Sequence, residues 1–261
     1  MISSRLRSVA WFLRRPTLYP QLAYLIWDRL VRAPEADTSA EAEKWCQKRA
    51  VTGDEALNLL TGIVPEPRVE DLHAAEFEEA VRIEKNCPVS MGGPGDLNLL
   101  YHLVKRTQAA RVIETGVAYG WSSLAILLAL EKNPDALLIS SDMPYVQDKN
   151  DAYVGCVVYK GEWRRKWDLV RKSDRQAIPY AIKKLGTIDL CHYDSDKSYR
   201  GRAWAYPKLW AALRPGGLFI SDDVGDNLGF RDFSAQVGIE PIVVLVKNER
   251  YAKFVGIIRK P

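Results

Sequence analysis

The stretch that decides the fold reads Arg111-Val-Ile-Glu114-Thr-Gly116-Val-Ala-Tyr-Gly120-Trp-Ser122-Ser-Leu-Ala-Ile-Leu-Leu-Ala-Leu130. A short strand-type run, Arg111 to Thr115, leads through two glycines into an uninterrupted helical pattern. Gly116 supplies a backbone that turns tightly and lets a ligand approach it, and Gly120 opens the helix. The spacing is G-x-x-x-G, and a carboxylate, Glu114, stands before the first glycine. Both features depart from the dinucleotide fingerprint, G-x-G-x-x-G, whose helix start carries a pyrophosphate. A carboxylate there repels a diphosphate and suits a ligand bearing an ammonium or sulfonium.

Working outward, apolar runs alternate with helical stretches. Strands are predicted at 111–115, 136–141, 167–170, 188–193, 218–221, 242–246 and 254–258. This alternation predicts an α/β fold: a doubly wound, mostly parallel, seven-stranded sheet. A reversal at Asn248-Glu-Arg makes the last strand antiparallel. Acidic residues close four strands, at Glu114, Asp142, Asp194 and Asp222. In open α/β sheets that edge binds ligands. Asp142 is placed to accept hydrogen bonds from ribose hydroxyls, and with the glycine loop it describes a site for a positively charged nucleoside, S-adenosylmethionine.

Upstream, residues 1–90 read as a helical N-terminal extension to the 91–261 unit. Helices are predicted near 40–50, 54–62 and 71–86, with Pro65 and Pro67 marking a linker. Residues 1–35 are basic, aromatic and partly amphipathic, broken at Pro16 and Pro20. Arg5, Arg7, Arg14 and Arg15 interrupt the apolar stretch too early for a secretory signal. Two readings stay open there: peripheral docking on an anionic membrane face, or helices packed on the main domain or on a second copy in a homo-oligomer. The chain has 261 residues, 47% hydrophobic and 27% charged, which excludes wholesale disorder. A net charge of +4 is too mild to argue for nucleic acid. No apolar run reaches the ~18–20 residues of a membrane span. Four scattered cysteines (Cys46, Cys87, Cys156, Cys191) suit a reducing, cytoplasmic setting. With only His73, His102 and His192 available, a metal site has to be carboxylate-rich.

The string VIETGVAYGWSSLAILLAL (112–130) resembles the first motif of class I S-adenosylmethionine-dependent methyltransferases. The stretch IDLCHYDSDKSYRGRAWAYPKLWAALRPGGLFISDDV (188–224) is similar to a branch of small O-methyltransferases with the pattern D-x-D-H-S-Y, L-R-P-G-G, D-D-V. It resembles the metal-dependent catechol-type enzymes more distantly. The resemblance spans about residues 90–260. It implies methyl transfer from S-adenosylmethionine to an acceptor oxygen. Met91 and Gly92 would then line the cofactor site, Ser122 would contact its methionine end, and Asp174 would approach the adenine.

Asp194, Asp222 and Asp223 close two neighbouring strands, with Asp196 nearby. Converging carboxylates repel one another, and a divalent cation relieves that cost. All-oxygen ligands select a hard ion, Mg²⁺ first, then Mn²⁺ or Ca²⁺. The resemblance also places the metal on Asp194, Asp222 and Asp223. Lys197 stands where the nearest pattern has histidine and the catechol-type pattern lysine, and two readings stay open: a general base, provided burial or a cation lowers its pKa, or a charged lysine paired with Asp194 or Asp196. His192 is expected in the core and Tyr199 beneath the loop. Asn227, Phe230 and Phe233 form either an acceptor wall or a helix face on the sheet. The insertion 143–166 is either a lid or a subunit contact. A small-molecule or sugar hydroxyl is the expected acceptor, a catechol-like phenol the next. A metal-free methyltransferase, a catalytically inactive methyltransferase-like binding protein and a nicotinamide-dependent oxidoreductase are the alternatives.

Overall fold

The computed structural model describes residues 2–62, 67–146, 149–247 and 252–261. The expected linker proline Pro65 and the reversal at 248–250 lie outside the described residues. In chain order the elements are α1 (Ile2–Leu13), α2 (Tyr19–Val31), α3 (Ser39–Gln47), β1 (Ala50–Val51), α4 (Gly53–Thr61), α5 (Val69–Leu72), α6 (Ala74–Lys85) and α7 (Leu97–Arg106). There follow β2 (Arg111–Thr115), α8 (Trp121–Leu130), β3 (Leu137–Ser141), α9 (Gly161–Arg164), β4 (Trp167–Val170), α10 (Asp174–Leu185) and β5 (Ile188–Tyr193). The chain closes with α11 (Tyr199–Ala212), β6 (Leu213–Ser221), α12 (Gly229–Val237), β7 (Ile242–Lys247) and β8 (Ala252–Arg259).

Among the described residues one sheet forms, ordered β1-β7-β8-β6-β5-β2-β3-β4. β8 runs antiparallel to both β6 and β7, and the other pairings are parallel. The sheet has eight strands rather than seven, because the two-residue β1 adds to the edge beside β7. β6 also begins earlier than expected. Arg214-Pro-Gly-Gly217 lies within it, and the ladder to β5 slips between Ile188 and Leu190 to accommodate those residues.

Strand side chains alternate between two cores, the period-2 rule of a sheet covered on both faces. Val112, Leu138, Leu190 and Leu218 enter the core shared with α7 and α8, while Ile113, Ile139, Cys191 and Phe219 enter the one beneath α10, α11 and α12. Helix α8 is apolar all round and nearly all buried, as expected of a helix between the sheet and a second helical layer. In that outer layer α4 starts with a capping box: Glu55 N–H donates to Thr52 Oγ1 at 3.2 Å and Thr52 N–H to Glu55 Oε2 at 2.7 Å. β2 lies between β3 and β5, so connections leaving it wind to opposite sides. This switch point opens a crevice at the strand C-terminal ends, beside Gly116 and Asp194.

Candidate active site

The glycine loop is held from three sides. Gly116 adopts φ +80°, and a Cβ there would run into the carbonyl oxygen of Asp194. Only glycine lets β2 and β5 end so close together. Asp142, at the end of β3, accepts the backbone N–H groups of Val117 and Ala118 on one oxygen, both at 3.0 Å. Its other oxygen lies 3.1 Å from Arg171 Nη1. Burial raises its pKa against these favourable contacts. Gly120 (φ +96°) packs on Gly155 at the start of α8. The insertion 143–166 braces the loop from behind: Gly155 N–H donates to Ala118 O at 2.9 Å and Val157 N–H to Tyr119 O at 3.1 Å. Val157, Val158 and Trp163 of the insertion are buried in the core.

Two cavities open at this edge, of about 220 Å³ and about 350 Å³, and both are bounded by Gly116, Asp142, Tyr145 and Asp194. The first runs under a glycine-rich strap, Gly92-Gly-Pro-Gly95, and past Ser122, His192, Lys197 and Asp222. Tyr119 pins this strap by donating to Val89 O at 2.6 Å and accepting Met91 N–H at 3.2 Å. The second runs past Ser173, Asp174, Ser195 and Trp204, with Gln21 of α2 on its wall.

The expected residues divide by position. Gly92, Gly116, Ser122, Asp142, Asp194, Lys197 and Asp222 line the first cavity, and Asp174 the second. Met91 packs against the core beside the strap, and Gly120 serves the loop rather than a cavity wall. Glu114 lies beneath the loop, fully buried, with Oε2 accepting the hydroxyls of Ser123 (2.5 Å) and Ser140 (2.6 Å). It lines neither cavity. His192, expected in the core, reaches the cavity wall with Nδ1 3.8 Å from Glu114 Oε1. Burial opposes its protonation, but the charges of Glu114, Asp222 and Asp194 prevail and raise its pKa. Phe230 and Phe233 pack in the core, and Asn227 donates to Lys197 O at 2.7 Å. Tyr199 is exposed, donating its hydroxyl to Asp232.

The carboxylates converge as expected, but ammonium groups meet them. Lys253 of β8 lies 2.6 Å from Asp222 Oδ2 in a buried pair, and Lys197 bridges Asp194 (3.3 Å) and Asp223. Among the described residues no group of three or more His, Cys, Asp or Glu is arranged to hold a metal ion. The Asp222 and Asp223 oxygens that the expected Mg²⁺ would use are met here by the Lys253 and Lys197 ammonium groups. The Lys253 ammonium sits against the oxygen a cation would need, and two positive charges already offset the repulsion that called for a metal. Of the two readings of Lys197, the contacts match the charged lysine paired with Asp194. Burial lowers its pKa, but Asp194 and Asp223 outweigh that and raise it, which keeps it an ammonium rather than a neutral base. Asp194 is pushed up to about 7, by burial first and then by the charge of Asp222.

Two features were not foreseen. Lys253 arrives through the antiparallel β6–β8 pairing, far from the motifs. Arg202 looks like a surface residue of α11, yet it is fully buried and donates to the carbonyls of Asp222 (3.3 Å) and Asp223 (2.7 Å). It fixes the turn in which Asp223 takes φ +52°, unusual for a residue with a side chain.

Residues 113–224 match the family model described as "Methyltransferase domain". That segment is a methyltransferase domain. It contains the glycine loop and Asp142, Asp174, Asp194, Lys197, Asp222 and Asp223. Solved structures share the fold of this chain. An O-methyltransferase from Bacillus cereus in complex with SAH superposes with TM-score 0.57 at 14% identity, covering 82% of this chain and 100% of that one. The O-methyltransferase TomG from Streptomyces achromogenes, involved in tomaymycin synthesis and in complex with SAM, gives 0.54 at 17% identity, covering 85% and 96%. A putative caffeoyl-CoA O-methyltransferase from Staphylococcus aureus gives 0.56 at 14%, covering 73% and 96%. No curated protein matches the chain.

Proposed function

We propose that the protein is an S-adenosylmethionine-dependent O-methyltransferase acting on a hydroxyl of a small-molecule or sugar-containing acceptor, without a divalent cation. The observation that carries this reading is the pair of cavities meeting at Gly116, Asp142, Tyr145 and Asp194. Added Cβ atoms at Gly92 and Gly93 would meet almost nothing, so the strap leaves a side-chain-free cradle beside the loop. The nucleoside end belongs in the cavity of Ser173 and Asp174, with Asp142 at the ribose. The methionine end belongs under the strap, beside Ser122. When bound, the cofactor supplies an electrophilic methyl group.

The protein's part is positioning and proton handling. Asp194 stands where both cavities meet and is poised near neutrality, so its carboxylate takes the acceptor's hydroxyl proton. Lys197 and Lys253 remain cationic and hold Asp194, Asp222 and Asp223 in place. Arg202 and Asn227 fix the backbone beneath them.

Calorimetry with S-adenosylhomocysteine and with NAD tests the cofactor: the first should bind and the second should not. Failure of S-adenosylhomocysteine to bind would overturn the reading. Transfer of labelled methyl to a hydroxyl-rich acceptor panel should persist in excess chelator; loss on chelation, restored by Mg²⁺, would refute the cation-free mechanism. Asp194→Asn should lower kcat by about 10²-fold or more, the range of a lost general base, with S-adenosylhomocysteine affinity within a few-fold.

A further inference from the structure

Helix α2 carries an apolar stripe that no described residue buries. Tyr19, Ala23, Ile26, Trp27 and Leu30 fall on one face at helical spacing, and none of the thirteen residues of α2 is buried. Leu30 is 79% exposed and Trp27 47%. The opposite face does the anchoring: Tyr24 lies under the Arg175 guanidinium at 3.6 Å, and Asp28 pairs with Arg200 at 3.2 Å. Just before α2, Leu18 is buried and Thr17 O accepts from Gln176. The orientation of the helix is thus set by polar contacts to α10 and α11, with its apolar side outward. Val9 and Leu13 of α1 add to the exposed apolar surface.

Charge decides what covers this face. Residues 1–35 hold six arginines against Asp28 and Glu35, a net +4 that equals the excess of the whole chain, so residues 36–261 are neutral overall. Arg32 stacks on Trp27 at 4.6 Å and Arg15 on Trp11 at 4.1 Å, placing cations beside the aromatic rings. An isologous contact with a second copy would bring like charges together. An apolar stripe with exposed aromatics and flanking arginines suits the boundary of a bilayer with negative headgroups, where the rings sit at the interface and the cations reach the anions.

We infer that the α1–α2 segment docks the protein on anionic membrane surfaces through Leu13, Tyr19, Ile26, Trp27, Leu30 and the surrounding arginines. Gln21, which walls the second cavity, shares the anchoring face of this helix with Tyr24 and Asp28, so docking uses the side of α2 turned away from the crevice. No helix among the described residues is long and apolar enough to cross a membrane, so the contact is peripheral.

Vesicle sedimentation tests this with the full chain. Phosphatidylcholine vesicles containing phosphatidylglycerol should pull the protein down, and pure phosphatidylcholine should bind far less. Arg14→Ser with Arg29→Ser should weaken binding about 30-fold, two surface charges at the usual worth of a basic residue near an anionic leaflet. Trp27→Glu with Leu30→Glu should abolish it while far-ultraviolet circular dichroism and S-adenosylhomocysteine binding stay unchanged. High salt should release the wild type. Equal binding to both vesicle types would overturn the inference. So would no vesicle binding together with a concentration-dependent dimer that Trp27→Glu dissociates, since a second copy would then cover the face.

Discussion

Asp174 carries a stability signature readable from one side chain. It accepts Ser195 Oγ at 2.5 Å, and burial, its dominant influence, pushes its pKa up to about 6 from an ordinary 3.8. The folded state therefore holds this proton more tightly than the unfolded state does. Its stabilising contribution is complete below about pH 4 and is lost as pH rises through 6. Full conversion of the shift gives about 3 kcal/mol, an upper bound because Asp174 is only half-buried. Asp174→Asn keeps an acceptor for Ser195 and removes the titration. Urea unfolding should find it more stable than wild type at pH 8, with the difference vanishing near pH 4. A gap independent of pH would refute the assignment. Gly116→Ala forces a side chain into a left-handed conformation against the Asp194 carbonyl, and should cost about 1–3 kcal/mol in the same assay and abolish cofactor binding. The glycine's role was legible in sequence because backbone conformation is a local property. The burial of Glu114 was not: residues at a strand end point to alternating faces, and which face holds the serines depends on α8 and β3.

At the scale of elements, what the sequence revealed and what it hid follow the same division. β2, β4 and β5 fall at their expected residues, because apolar runs bounded by acidic or glycine turns are local signals. β1 was missed because two residues have no periodicity, and pairing with β7 alone makes them a strand. The metal expectation rested on Asp194, Asp222 and Asp223, which do converge. What it lacked was β8, whose antiparallel entry beside β6 delivers Lys253. The pair is testable as an element-to-element contact. Lys253→Met strips the partner from a buried carboxylate and should destabilise the fold by about 3–5 kcal/mol in urea unfolding at pH 8. Adding Asp222→Leu removes the stranded charge, and the double variant should recover part of the loss. Additive losses would show that the two side chains do not interact.

Over the whole molecule, two packing regimes meet. The sheet is enclosed between two apolar cores, and β2, β5 and β6 supply fully buried residues to both. Among the described residues the α1–α2 segment meets the domain through one stacked guanidinium and a few ion pairs and hydrogen bonds, and its buried residues, Phe12 and Leu18, join neither core cluster. Surface ion pairs contribute roughly 0–1 kcal/mol each, whereas fully burying a large aliphatic side chain contributes about 1.5–3 kcal/mol. The segment should therefore open locally at a small fraction of the global unfolding free energy, while the central strands open only when the whole domain unfolds. Hydrogen exchange read by mass spectrometry should show amides of 8–31 exchanging orders of magnitude faster than those of 111–115 and 188–193. Anionic vesicles should slow the first group and leave the second unchanged, because binding stabilises only the state it contacts. Equal protection of both regions in solution would mean that α2 is held by more than its polar face, and the apolar stripe would then need an occupant within the protein itself.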